Sequence, residues 1–136
     1  MTQDELNEIL KQHKVWRWSL GLLGKRADLS YVYLRGASLK GADLRGASLE
    51  GADLSYAYLK GANLERAKLR GAVLMEADLT GVNLEGADLR GVDLIYANLS
   101  GINLTDAFLT GVDSSGDYVF NGPLHRCIYY LKHDRI

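Results

Sequence analysis

The chain has 136 residues, a formal net charge of −1 and a hydrophobic share of 47%. That length suits one domain, the apolar share argues against disorder, and the charge excludes both a nucleic-acid-coating polycation and a strong polyanion. A single cysteine, Cys127, excludes an intrachain disulfide framework and suggests a reducing compartment.

The chain starts Met-Thr-Gln-Asp-Glu-Leu, acidic and polar, unlike a signal peptide. No apolar run approaches the ~20 residues of a membrane span. The expectation is a soluble, cytoplasmic protein with no membrane contact. Thr2 followed by Glu5 is a capping-box signature, and Leu6, Ile9, Leu10 and His13 recur at helical spacing. Lys11 and Lys14 suit the negative end of a helix dipole. These residues predict a capping helix over 3 to about 15. Trp16, Trp18, Leu20, Leu22 and Leu23 then form a lead-in up to residue 26, with both tryptophans expected to pack in the cap rather than to serve as a ligand platform.

From Leu29 to Leu109, leucine stands at every fifth position without a miss. Two residues before each leucine sits a small or β-branched residue, such as Ala42, Val82 or Ile102. Two residues after it sits glycine, except at Tyr31, Tyr56, Arg66, Glu76, Tyr96 and Asp106. On an α-helix a step of five residues would scatter the leucines around the cylinder. On a flat strand an odd period would send successive leucines to opposite faces. The chain must therefore turn once per pentad. A short extended piece points the Ala and Leu the same way, and the glycine allows the corner. The outcome is an all-β solenoid with Leu and Ala inside.

The pattern resembles the pentapeptide-repeat family, A-(D/N)-L-X-G in consensus. Ala42-Asp43-Leu44-Arg45-Gly46 and Ala87-Asp88-Leu89-Arg90-Gly91 match it in full. The resemblance covers residues 27–111. It implies a right-handed quadrilateral β-helix with four pentads per coil, hence about four coils, on the order of 20 Å tall at ~4.8 Å per rung. The expected organisation is an N-terminal helical cap and lead-in (1–26), the β-helix (27–112) and a C-terminal non-repeat cap (113–136). Ser114 breaks the register, and residues 118–120 and 126–132 read as short strands around Asn121-Gly122-Pro123. This tail resembles the segment that follows the repeats in some phage-associated bacterial proteins.

Chemistry is hard to find. The inward positions are apolar, and the charged residues face outward as a solvated surface. His13, His125 and His133 lack metal-ligand spacing, and no phosphate-binding glycine loop occurs. No catalytic, cofactor-binding or metal residue is expected, and the chain reads as a non-enzyme. With a coil of twenty residues, Asp43, Asn63, Asn83 and Asn103 should stack as a structural ladder. One face gathers Tyr33, Tyr56, Val73, Met75, Ile95 and Tyr96, an apolar stripe suited to contact. Residues 27–71 carry seven Lys/Arg against five Asp/Glu, while residues 72–111 carry one against six.

Two functions compete. One is a protein-interaction or structural module that binds a protein partner or self-associates, with a homodimer as the simplest case and no nucleic acid. The alternative, implied by the resemblance, is a DNA mimic that binds DNA gyrase or topoisomerase. Mimicry would need a longer and more acidic rod.

Overall fold

A computed structural model describes residues 1–113. It opens with one helix, α1 (Gln3–Trp18), three residues longer than the sequence suggests at its C-terminal end. Thr2 is its N-cap: the Thr2 hydroxyl accepts from the Glu5 N–H, and the Glu5 carboxylate accepts from the Thr2 N–H. Arg17 in the last turn complements the dipole.

From residue 27 to residue 113 the chain winds in coils of twenty residues. Parallel bridges join each residue before a leucine to its counterpart one coil on, as in Asp43 to Asn63 to Asn83 to Asn103. The paired segments are single-residue bridges rather than strands among the described residues. The reason is local. A corner every five residues leaves only one residue per side free to pair with both neighbouring coils.

The backbone hydrogen bonds can be followed through one pentad, 62–66. Asn63 N–H donates to the Ala42 carbonyl in the preceding coil (2.9 Å). Leu64 and Arg66 N–H donate to Asn83 and Glu85 in the following coil (2.7 and 2.8 Å). Ala62 N–H closes the corner on the Leu59 carbonyl (2.8 Å). The remaining donor, Glu65 N–H, finds the Asn63 side-chain oxygen at 3.0 Å. Every N–H of the pentad is thus satisfied, as a wall with a dry interior requires.

The fifth bond explains the Asp or Asn before the leucine. The same side-chain acceptor serves the N–H two residues on at ten pentads, from Asp28–Ser30 to Asn103–Thr105. This is the Asx turn, in which a short side chain replaces a backbone acceptor.

The corner residue two after each leucine is left-handed throughout. Gly46 has φ 69°, and the six non-glycine exceptions, Tyr31, Tyr56, Arg66, Glu76, Tyr96 and Asp106, have φ between 55° and 60°. Those six therefore hold a conformation that costs an L-residue roughly 1 kcal/mol. The interior is a column of leucine: each from Leu29 to Leu99 is at most 3% exposed.

α1 closes the N-terminal end. Leu6 is buried in the core, and Ile9 and Leu10 pack against it. Two polar side chains of α1 reproduce the pairing of a missing coil. The Gln3 amide accepts from the Ser38 N–H (3.1 Å) and donates to the Ser38 carbonyl (3.0 Å), as a neighbouring backbone would. His13, fully buried, accepts from the Ala27 N–H at Nδ1 (3.0 Å) and lies 3.1 Å from the Arg45 carbonyl at Nε2. This arrangement fits the tautomer with its proton on Nε2. The open edge of the first coil is thereby covered in part by side chains instead of strand.

The tryptophans part company. Trp16 stacks on His13 with ring centroids 5.4 Å apart, as expected of cap packing. Trp18 is 82% exposed and does not pack, because it falls on the outer side of the last helical turn. The strands expected at 118–120 and 126–132 lie outside the described residues.

Candidate functional site: one face of the solenoid

Pentads 32–36, 52–56, 72–76 and 92–96 stack into one face, joined by the bridges Tyr33–Asp53, Asp53–Val73 and Val73–Asp93. Tyr33 is 78% exposed, and Tyr56 and Tyr96 are exposed at the corner. Val73, Met75 and Ile95 are half-buried between rungs. The six residues share this face, but Asp53 and Asp93 interrupt them, so the stripe is mixed rather than continuously apolar.

The upper part of the face is tied by charge. Arg35 approaches Asp53 at 3.5 Å and lies over the Tyr56 ring, 5.2 Å from its centroid. Burial pushes the Asp53 carboxyl up, but bonds from Ser55 and the charge of Arg35 outweigh it and hold the group below its usual range. The Tyr56 hydroxyl donates to the Glu76 carboxylate at 3.3 Å. These contacts fix the orientation of Tyr56.

The polar column occupies another face. Asn83 donates its side-chain amide to Asn63 (3.3 Å), and Asn103 donates to Asn83 (3.2 Å). Asp43 heads the column but directs its carboxylate to Arg45, at 2.8 and 2.6 Å. The Arg45 bond keeps the Asp43 carboxyl below its ordinary range. A carboxylate could accept the next amide donor from Asn63, but Asp43 turns both its oxygens to Arg45, so the amide chain runs from Asn103 to Asn63. The sequence reading missed the Asx turns, whose signal was present as Asp or Asn two residues before each outward N–H.

Among the described residues, no group of His, Cys, Asp and Glu is placed to hold a metal ion, and no helix is long and apolar enough to cross a membrane.

Comparison with known proteins agrees with this geometry. A family model described as pentapeptide repeats matches residues 27–66, 57–94 and 72–111. The crystal structure of the pentapeptide repeat protein Rfr23 from the cyanobacterium Cyanothece 51142 is 36% identical, with a TM-score of 0.70, over 74% of this chain and 69% of that one. A pentapeptide repeat protein of the Arabidopsis thaliana thylakoid lumen is 38% identical over 72% of this chain and 61% of that one, with a TM-score of 0.44. The plasmid-mediated fluoroquinolone resistance protein QnrB1 shares 18% identity over 67% of this chain and 66% of that one, at a TM-score of 0.33. No curated protein matches the chain. The unbroken leucine register, the twenty-residue coil and the left-handed corner after every leucine have one common explanation: the chain belongs to the pentapeptide-repeat family, whose fold is a right-handed quadrilateral β-helix.

Proposed function

We propose that the chain is a non-catalytic interaction module that pairs side by side, in antiparallel sense, with a second copy through the Tyr33–Tyr96 face. The observation that carries this reading is the set of exposed tyrosines, Tyr33, Tyr56 and Tyr96, on a wall held rigid by its backbone ladder. Tyrosine offers a large contact area at a small entropic cost. Two further features support it. Tyr56, Glu76 and Tyr96 hold left-handed corners at φ 60°, 56° and 57°, where glycine would be relaxed, and such strain gathers at working surfaces. The charge is also polar along the axis, +2 over residues 27–71 and −5 over residues 72–111. Antiparallel pairing sets each basic half against an acidic half.

Sedimentation velocity tests this proposal. The expected result is a dimer at micromolar concentration, reduced to a monomer by Met75→Lys combined with Ile95→Lys. A wild-type monomer throughout that range, or an unchanged dimer in the variant, overturns it. Mimicry of duplex DNA fits less well, because a net charge of −3 over residues 27–111 on a rod of about six base pairs' length, at ~3.4 Å per pair, is a weak imitation. A gyrase supercoiling assay separates the two readings.

A further inference from the structure

The three most exposed apolar residues lie outside the proposed pairing face, at the end of α1 and in the turn after it: Trp18 is 82% exposed, Leu20 93% and Leu22 85%, with Leu23 beside them at 66%. Large apolar side chains at such exposure are ordinary when scattered, but here they are clustered within six residues.

The turn that displays them is ordered. Leu20 takes φ 54° and Gly21 φ 87°. The Ser19 hydroxyl accepts from the Leu23 N–H (2.8 Å) and faces the Leu23 carbonyl (3.0 Å), so one side chain clasps both ends of the tip. Gly21 N–H bonds the Trp16 carbonyl at 2.9 Å, and Lys25 N–H bonds the Gln12 carbonyl at 3.3 Å. Gly24 is pressed on the helix so closely that a Cβ there would sit 2.4 Å from the Gln12 carbonyl oxygen. The turn therefore holds its leucines outward without a floppy loop that could fold them away.

The surrounding charge identifies what could cover them. Between Glu8 and Asp28 the chain contains Lys11, Lys14, Arg17, Lys25 and Arg26 and no acidic residue. The cations flank the apolar tip on both sides in the chain. Two copies meeting symmetrically here would bring like charges together, which disfavours self-association through this end. A surface that is apolar within and anionic at its rim satisfies both features at once.

We propose that the Trp18–Leu23 turn is a shallow anchor that inserts into an anionic phospholipid surface, with the flanking cations on the headgroups. Leucine and tryptophan tips with a basic collar bind in the interfacial plane without spanning, and anionic lipid contributes through each cation near the surface. The proposal departs from the expectation of no membrane contact. That expectation rested on the absence of a span, and a turn of six residues is too short to register as one.

The test uses the full chain and flotation with vesicles of phosphatidylcholine, alone or mixed with phosphatidylglycerol. Binding to the mixed vesicles is expected, with a blue shift of Trp18 emission in a Trp16→Phe background. Leu20→Ser with Leu22→Ser should weaken binding by about tenfold per leucine, since each loses most of an aliphatic side chain from the apolar layer. Lys14→Gln with Lys25→Gln and Arg26→Gln should weaken it too, as should added salt. The five positions substituted to weaken binding are all exposed, so circular dichroism of those variants should match their parent. Absence of binding by the wild type, or full binding by the leucine variant, overturns the proposal. Equal binding to neutral vesicles overturns the anionic requirement. A leucine variant that changes the protein's own sedimenting mass, with no vesicle binding by wild type, identifies a protein interface instead.

Discussion

Replacing His13 with leucine tests the cap. The imidazole accepts from the Ala27 N–H and faces the Arg45 carbonyl, both part of the open first coil. Leucine keeps much of the packing volume but offers neither bond. Each buried backbone group left without a partner costs about 1–3 kcal/mol. The two together predict a loss of about 2–6 kcal/mol for docking of α1. Because stability in a solenoid is largely local, the loss should fall on the cap before the coils.

A pH series sharpens the same test. Burial lowers the His13 pKa, and the bond to Arg45 and the charge of Asp43 only partly oppose it, while Arg17 and Arg26 add to the lowering. The docked state therefore holds the ring neutral. Above the ordinary histidine pKa of about 6.5 both states are neutral and the cap has its full stability. As pH falls below that value the undocked ring takes up a proton that the docked ring refuses. Stability then drops by up to ~1.4 kcal/mol per pH unit until the folded pKa is reached. The depressed carboxyls, such as Asp43, start from lower ordinary values and titrate in more acid solution. Urea titrations followed by helical circular dichroism between neutral and mildly acid pH read both effects, since α1 is the only α-helix among the described residues. A His13→Leu protein with an unchanged helical midpoint, or a wild type with no acid sensitivity in this range, refutes the account.

Other perturbations have defined outcomes. Leu64→Ala, at a position fully shielded from solvent, should cost about 2–5 kcal/mol in urea unfolding, the range for emptying a packed leucine site. Asn83→Ala removes the amide donor to Asn63 and the one side-chain oxygen that accepts from both Asn103 and the Glu85 N–H, and should cost about 1–3 kcal/mol in the same measurement. Gly24→Ala places a methyl group 2.4 Å from the Gln12 carbonyl oxygen and 2.7 Å from the Trp16 nitrogen at φ 71°, so it should loosen the 19–24 turn and speed amide exchange at Leu23 and Lys25. Arg66→Gly relieves a left-handed corner at φ 55° and should raise the melting midpoint by the equivalent of about 1 kcal/mol, less its contact over Gly86.

The sequence by itself determined the coil. Leucine at period five rules out helix and flat strand, so a corner in every pentad and a closed apolar interior follow from local geometry, while the twenty-residue coil and its outward columns came with the resemblance to the family. The left-handed corners were legible as glycines, and even the six exceptions marked their places. The Asx turns were equally local, and their unread signal stood in the Asp or Asn before ten of the leucines. Tertiary structure alone decided how the cap docks. Gln3 reaches Ser38 across 35 residues and His13 reaches Arg45 across 32, contacts that depend on where α1 docks. The same docking left Trp18 exposed, although the sequence had suggested that it packs in the cap, and left the leucines of the following turn exposed with it. Periodicity encodes which way a side chain points within its own turn. What it meets after a rigid helix settles on an open edge depends on the position and angle of that helix, and no local repeat records them.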